Sequence, residues 1–240
     1  MAGTIRVREE GRWRRLYFDE TLQGGIDLTD PTACTFPVTE AFHLIAALRP
    51  APPQAVLVVG LGAGELPRSF LRAFPRSRIR VVEIDPVVVQ LARRFFALPH
   101  RRRLEVVVAD GIADLERRPD RYDLIVLDAC GREGLPAPFV RPEFVDLAAR
   151  RLTPTGMLAA NLFDLGSESD SATGAFQRHA GALFPERYAV RVGTRGSFSY
   201  LNLLLFCGFD PGAVPAAERF PPGVAVEALH LSAAREPARR

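Results

Sequence analysis

Residues 55–64 read Ala-Val-Leu-Val-Val-Gly-Leu-Gly-Ala-Gly, an apolar run that ends in a turn with a glycine at every second position. Five consecutive apolar residues are typical of a strand that is buried on both faces of a parallel sheet. Glycines directly after such a strand permit a tight turn and let a ligand approach the backbone closely. The stretch therefore predicts a buried strand, a ligand-binding turn and a helix that begins at Glu65.

Strand-like and helix-like stretches alternate along most of the chain after this turn. Apolar runs predict strands, and amphipathic stretches with a proline or a capping residue at their start predict helices. Two final strands joined by a short link predict a hairpin that brings one antiparallel strand into the sheet. The pattern predicts an α/β fold with a doubly wound, mostly parallel seven-stranded sheet. The predicted strands are 55–59, 79–84, 104–109, 122–127, 156–162, 187–192 and 200–207, and the main predicted helices are 38–49, 65–74, 86–98, 142–152 and 173–183.

The two ends of the chain differ from this alternating region. Residues 1–35 contain short β-like stretches separated by turn residues, which predicts a small antiparallel sheet. Residues 36–210 form the predicted α/β domain. Residues 211–240 are rich in proline and alanine, and we expect them to form a loosely packed tail.

The composition excludes several classes of protein. Hydrophobic residues make up 48% of the chain and charged residues 25%, and no apolar run is long enough to span a bilayer. With no signal-peptide pattern at the start, we expect a cytoplasmic protein without a membrane partner. The three cysteines and four histidines are scattered, which argues against a disulfide framework and against a metal site.

All basic residues are arginine, since the chain contains no lysine, and the net charge is only +3. The densest basic run is Arg101–Arg103, which we interpret as a solvated loop before a strand. A nucleic-acid surface requires a larger basic excess with interleaved aromatic residues, so we expect no nucleic-acid partner.

Glycines or carboxylates follow each of the first four predicted parallel strands. These residues are Gly60, Gly62 and Gly64, then Glu83, then Asp110 with Gly111, and finally Asp128. Ligands bind beyond the carboxyl ends of the strands in open parallel sheets. Turn formation and helix capping explain any one of these residues, but they explain poorly why all four strands end in this way.

The residue types indicate a nucleoside without phosphate. Glu65 stands where the dinucleotide-binding pattern has its third glycine, and a carboxylate there is a poor neighbour for a pyrophosphate. Glu83 is placed to accept hydrogen bonds from ribose hydroxyls, and Asp110 can accept one from an adenine amino group. We therefore expect S-adenosylmethionine or its decarboxylated form as the ligand, with no metal.

An ordered set of motifs resembles the spermidine synthase family, within the class I methyltransferase-like fold. The motifs are Leu22-Gln23, Phe36–Glu40, Val56–Gly64, Val82–Pro86, Ala109–Gly111, Tyr122–Asp128, Phe139–Phe144 and Leu152–Gly156, and the similarity extends to about Cys207. The resemblance implies that Gln23 reaches the amino-acid end of the ligand, and that the protein forms a homodimer.

Two departures from the family pattern concern catalysis. The resemblance places an Asp of the glycine turn, which holds the amino end of the nucleoside, at the position of Ala63. It also places the catalytic base at Gly131, within Asp128-Ala129-Cys130-Gly131-Arg132. An alkylamine acceptor has a pKa of about 10.4 and must lose a proton, which neither Gly131 nor Arg132 can accept.

Three functions stay open on the sequence, and methyl transfer ranks first because it depends chiefly on proximity and alignment. The second is aminopropyl transfer with a rebuilt base, and the third is a non-catalytic binding or assembly subunit. Asp128 is the candidate catalytic residue, and Cys130 and Asn161 are candidate substrate contacts. We expect the acceptor to be a small molecule or a peptide, and the sequence does not identify it.

Overall fold

The three-dimensional structure is a computed structural model, which describes residues 4–129, 135–164, 172–194, 197–208 and 224–232. The chain begins with a three-stranded antiparallel sheet of β1 (Ile5–Glu10), β2 (Trp13–Phe18) and β3 (Thr21–Asp27). This confirms the small N-terminal sheet. Leu16 and Ile26 pack with Ala63 and Phe96, so the small sheet lies against the glycine turn.

The main sheet is mostly parallel, as predicted, but it has eight strands. They are β4 (Ala55–Val59), β5 (Arg78–Glu83), β6 (Leu104–Val108), β7 (Tyr122–Leu127), β8 (Leu152–Asp164), β9 (Glu186–Thr194), β10 (Ser197–Cys207) and β11 (Val224–Ser232). Their order is β11-β9-β10-β8-β7-β4-β5-β6. The strands β4 to β8 are parallel, and β10 is inserted antiparallel between β8 and β9, as the predicted hairpin requires.

The eighth strand comes from the C-terminal tail, so the expectation of loose packing is wrong for Val224–Ser232. These residues pair antiparallel with β9 along its whole length, from Thr194 to Glu186. A strand at the edge of a sheet has unpaired backbone donors and acceptors, and β11 satisfies those of β9. The proline and alanine content of the tail as a whole conceals this nine-residue stretch.

Helices cover both faces of the main sheet, which confirms the doubly wound arrangement. The helices are α1 (Pro37–Phe42), α2 (Ile45–Leu48), α3 (Glu65–Ala73), α4 (Pro86–Phe95), α5 (Gly111–Arg117), α6 (Ala137–Val140), α7 (Pro142–Arg151) and α8 (Ala172–Leu183). One apolar core lies between the sheet and α1–α4 and includes Phe42 and Phe70. The other lies between the sheet and α5–α8 and includes Phe144 and Phe176. None of the helices in the described part of the chain is long and apolar enough to cross a membrane.

The single helix predicted over 38–49 is two short helices in the structure. Hydrogen bonds between residues three apart replace the α-helical pattern around His43, where Leu44 N donates to Ala41 O and Ala46 N donates to His43 O. The imidazole ring of His43 packs edge-on against Phe70 at a centroid distance of 5.4 Å. The break between α1 and α2 therefore places His43 in contact with α3, and the periodicity of the sequence does not predict this contact.

Candidate active site

The glycine turn joins β4 to α3 and lies against the end of β7. Gly60 has a φ of +100°, and a Cβ at this position would lie 2.3 Å from the carbonyl oxygen of Asp128. Any side chain would therefore separate the turn from β7 or force the backbone out of a conformation that L-residues rarely adopt. Because Gly60 has no side chain, the glycine turn can pack directly against the backbone of Asp128.

A cleft of about 460 Å³ lies over this turn, between the small sheet and the carboxyl ends of β4 to β8. Most of the residues predicted from the sequence line it, namely Gln23, Gly60, Gly62, Glu83, Asp110, Asp128 and Asn161.

Two predicted residues do not line the cleft, and another lies outside the described residues. Gly64 precedes the first turn of α3. A Cβ on Gly111 would lie 2.6 Å from Cγ1 of Val59, so this glycine permits close packing of α5 on β4. Cys130 is outside the described part of the chain, as is Gly131.

The carboxylate of Glu83 is fixed by two backbone donors. Leu61 N donates to Oε2 at 2.9 Å, and Asp85 N donates to Oε1 at 3.0 Å. Burial raises the pKa of Glu83, and these backbone hydrogen bonds oppose the rise. Each carboxylate oxygen has a second lone pair, so the group can accept two further hydrogen bonds from a vicinal diol.

Asp110 serves both as a helix cap and as a wall of the cleft. Its Oδ1 accepts a hydrogen bond from Ala113 N at 2.9 Å, which caps α5.

Two aliphatic side chains, Ile84 and Ile112, also line the cleft, and Ile84 is 68% exposed. Exposed aliphatic groups beside fixed carboxylates suit a flat heterocycle with polar edges, and the sequence analysis did not identify either isoleucine.

Asp128 follows the last residue of β7, Asn161 lies within β8, and the two side chains form a hydrogen-bonded pair. Nδ2 of Asn161 donates to Oδ1 of Asp128 at 2.9 Å. Burial raises the pKa of Asp128 to about 6, the hydrogen bond from Asn161 lowers it, and the charge of Glu65 raises it. A carboxylate with a pKa close to neutrality can accept a proton at physiological pH and release it again.

Glu65, the first residue of α3, ties the segment before α1 to the glycine turn. Its carboxylate accepts hydrogen bonds from Thr35 N, from Thr35 Oγ1 at 2.7 Å and from Phe36 N at 3.0 Å. The residue is 5% exposed, and burial raises its pKa. Glu65 therefore has a structural role beside the cleft, which its position in the glycine pattern does not predict.

The described lining of the cleft is acidic. Of its lining residues in the described part of the chain, four carry carboxylates and none is Arg, Lys or His; the carboxylates are Glu65, Glu83, Asp110 and Asp128. Negative charges in a concave, poorly solvated site favour a cationic ligand. This charge pattern is consistent with a sulfonium or an ammonium group and disfavours a phosphate.

Sequence analysis also missed the residues that α1 and β10 contribute to the cleft. Asn202 reaches it from β10, and Val38 and Thr39 reach it from α1, with aromatic walls from Phe36 and Phe139. One signal could have identified Asn202, because it is the single polar residue within the otherwise apolar run 201–206.

The strand order and the site define the class of the protein as a class I methyltransferase-like fold with a nucleoside-type cleft. Residues 35–171 match the family described as "Spermine/spermidine synthase domain", and the chain belongs to this family. The resemblance seen in the sequence motifs is therefore confirmed.

Curated relatives include two kinds of transferase. The polyamine aminopropyltransferase of Vibrio vulnificus is 30% identical over 155 residues, which cover 63% of this chain and 52% of the relative. The eEF1A lysine and N-terminal methyltransferase of Bos taurus is 36% identical over 169 residues, which cover 65% of this chain and 23% of the relative. The chain thus spans about half of the first relative and about a quarter of the second.

Solved structures show the same two kinds of relative. A probable spermidine synthase from Corynebacterium glutamicum superposes with a TM-score of 0.70 at 23% identity, covering 85% of this chain and 76% of the other. Human methyltransferase-like protein 13 in complex with SAH superposes with a TM-score of 0.60 at 27% identity, covering 76% and 86%. The first of these similarities supports the fold alone.

Proposed function

We propose that the protein binds S-adenosylmethionine in the cleft and transfers its methyl group to an acceptor. The observation that carries this proposal is the carboxylate of Glu83, which Leu61 N and Asp85 N fix beside the glycine turn, in a cleft whose described lining contains no cation for a phosphate. The residues present fit the ligand, with Glu83 for the ribose hydroxyls, Asp110 for the adenine amino group and Ile84 with Ile112 for its faces. When bound, the ligand would supply an electrophilic methyl group on a sulfonium.

Asp128 is the group that we assign to proton transfer. The acceptor's lone pair forms a bond to the methyl carbon, the carbon–sulfur electron pair stays on sulfur, and the proton of the acceptor passes to the Asp128 carboxylate. A pKa of about 6 keeps that carboxylate largely ionised at neutral pH, ready to accept the proton. An amine acceptor, on a small molecule or a peptide, fits the acidic lining of the cleft, and the names of the polyamine and lysine-modifying relatives support it.

Aminopropyl transfer is the second candidate, and one observation favours it. A decarboxylated ligand needs no cation for its tail, and none of the described residues lining the cleft supplies one. Ala63 argues in the other direction, because it is 2% exposed and lies where the family resemblance places an aspartate for the amino end of the nucleoside. We therefore rank methyl transfer first.

Calorimetric titration separates the two candidates. The purified protein is titrated with S-adenosylmethionine, S-adenosylhomocysteine and decarboxylated S-adenosylmethionine. Tighter binding of the first two supports methyl transfer, and tighter binding of the third supports aminopropyl transfer. If none binds, the nucleoside site itself is wrong.

A matched pair of variants locates the binding in the cleft. Glu83→Gln removes the charge that two backbone donors hold in place, and we expect S-adenosylmethionine to bind about tenfold more weakly or worse. Glu116→Gln makes the same change on the exposed surface of α5 and should leave the affinity unchanged. Equal effects of the two variants would place the ligand elsewhere.

Two further properties belong to this proposal, a homodimer and a cytoplasmic location. The family resemblance supports the dimer, which light scattering of the purified protein tests directly. Cell fractionation tests the location.

A further inference from the structure

The strand β6 ends the main sheet and exposes one of its edges. It pairs with β5 through Ile79 N, which donates to Arg103 O at 2.7 Å, and through Ala109 N, which donates to Glu83 O at 3.0 Å. Because successive residues of a strand point their backbone groups in opposite directions, Val106 and Val108 direct their N–H and C=O groups away from β5. These groups form an edge that another extended chain can pair with.

A groove of about 320 Å³, lined by both basic and aliphatic side chains, lies beside this edge; we call it the β6 groove. It lies between the end of α4 and the start of β6, and its aliphatic lining residues include Leu98, Leu104 and Val106. Its rim carries Arg93, Arg101 and Arg102, with His100. The groove is at the amino end of β6, whereas the cleft lies beyond the carboxyl ends of the strands, so the two sites are separate.

The positive charge at the β6 groove is not neutralised locally. Residues 91–104 contain five arginines and one histidine, and no aspartate or glutamate. Within the described part of the chain, no ion pair involves Arg93, Arg101 or Arg102. The arginines of the small sheet, in contrast, are paired with acidic neighbours, as in Arg6 with Glu20, Arg8 with Glu20, Arg14 with Glu9 and Arg15 with Glu10.

We propose that the β6 groove docks an extended acidic segment of a protein partner, which adds a strand to β6 and places its carboxylates against the arginine rim. Main-chain hydrogen bonds to an edge strand supply affinity in this mode of recognition, and alternate side chains supply specificity. The free edge favours a peptide over a nucleic acid, because the outward N–H and C=O groups of Val106 and Val108 pair with an extended main chain, and no Phe, Tyr or Trp lines the groove for base stacking. This surface goes beyond the proposed transfer reaction and does not depend on it.

A pair of synthetic peptides tests the proposal. One is a blocked octapeptide that alternates glutamate with valine, and the other has lysine in place of each glutamate. We expect the acidic peptide to bind the full-length protein, to weaken as salt rises, and to shift the amide resonances of Val106 and Val108. Oligothymidylate and vesicles of anionic lipid are titrated in parallel. Absence of acidic-peptide binding, equal binding of the lysine peptide, or tighter binding of the oligonucleotide or vesicles overturns the proposal.

Matched variants assign the binding to the groove. Arg101→Glu with Arg102→Glu should weaken acidic-peptide binding about tenfold, since attractions are lost and repulsions gained. Arg117→Glu with Arg150→Glu changes the net charge equally on the exposed surfaces of α5 and α7 and should have a much smaller effect.

Val106→Pro removes an outward N–H and should also weaken binding, whereas Val106→Thr keeps it and should not. The arginine variants decide the matter if Val106→Pro does not fold. Equal weakening by both arginine pairs overturns the assignment.

Discussion

The side-chain amide of Asn161 donates a hydrogen bond of 2.9 Å to Oδ1 of Asp128, and so joins β8 to the end of β7 inside the cleft. The bond occupies one of the two carboxylate oxygens of Asp128, a residue that lines the cleft. Burial and the neighbouring charge of Glu65 raise the pKa of Asp128, while Asn161 stabilises its ionised form. The pair therefore sets the protonation state of the carboxylate that we assign to proton transfer.

Replacing Asp128 with asparagine should stabilise the folded protein at neutral pH. The pKa of Asp128 rises from 3.8 to about 6 on folding, so the folded state binds the proton more tightly than the unfolded state does. Stability then falls as pH rises from about 4 to about 6 and is constant above. Since one pKa unit corresponds to about 1.4 kcal/mol, Asp128→Asn should raise the free energy of unfolding by about 1–3 kcal/mol at neutral pH. Urea unfolding near pH 4 and near pH 7 measures this, and an equal gain at both values would contradict it.

Removing the amide of Asn161 should raise the pKa of Asp128 further, because the ionised form loses its hydrogen bond. Asn161→Leu makes this change at a residue that is 5% exposed and keeps the branching of the side chain at Cγ. Asn202→Leu is the matched control, since Asn202 lines the same cleft but is not bonded to Asp128. Carboxyl-carbon NMR titration of the two variants reads the pKa directly. A downward shift, or the same shift in both variants, would refute the role of Asn161.

Sequence reasoning predicted most of the sheet and much of the cleft, for a simple geometric reason. Buried parallel strands are apolar along their whole length, and their carboxyl ends meet at one edge of the sheet. Polar residues that follow such strands, including Glu83, Asp110 and Asp128, were therefore predictable as neighbours in space. The glycine turn indicated the same edge independently.

What the sequence did not predict depends on pairing between distant segments. Asn202 enters the cleft from an antiparallel strand, after a register irregularity between Ser197 and Asn202 in its pairing with β9. The tail strand β11 pairs with β9 along its whole length, and the proline and alanine content of the surrounding tail conceals this short apolar stretch. Glu65 was identified as unusual, yet its hydrogen bonds run to residues about thirty positions earlier in the chain.

A side chain at Gly60 should separate the glycine turn from β7. Gly60→Ala would place a Cβ 2.3 Å from the carbonyl oxygen of Asp128 at a φ of +100°, and we expect a cost of about 2–5 kcal/mol. Gly11→Ala is the matched control, since Gly11 also has a positive φ, +61°, but no atom lies within 4 Å of the added Cβ. That change should cost about 1–2 kcal/mol. Chemical unfolding of both variants checks the difference, and equal costs would mean that the contact with β7 is not tight.

The buried ion pair between Arg80 and Asp114 joins β5 to α5 and should be costly to break from one side. Nε of Arg80 donates to Oδ2 at 3.1 Å and its terminal nitrogen to Oδ1 at 2.7 Å, and both side chains are 8% exposed. The carboxylate raises the pKa of Arg80, so the guanidinium is charged at every accessible pH. Arg80→Met should lower the free energy of unfolding by about 3–5 kcal/mol, because it leaves a buried carboxylate without its partner. Adding Asp114→Leu should recover much of that loss, since two well-packed apolar groups can replace a buried pair.

The exposed pair Arg118–Asp120 is the control, and Arg118→Met should cost about 1 kcal/mol at most. If the double variant is no more stable than Arg80→Met, the loss comes from packing and not from the unpaired charge.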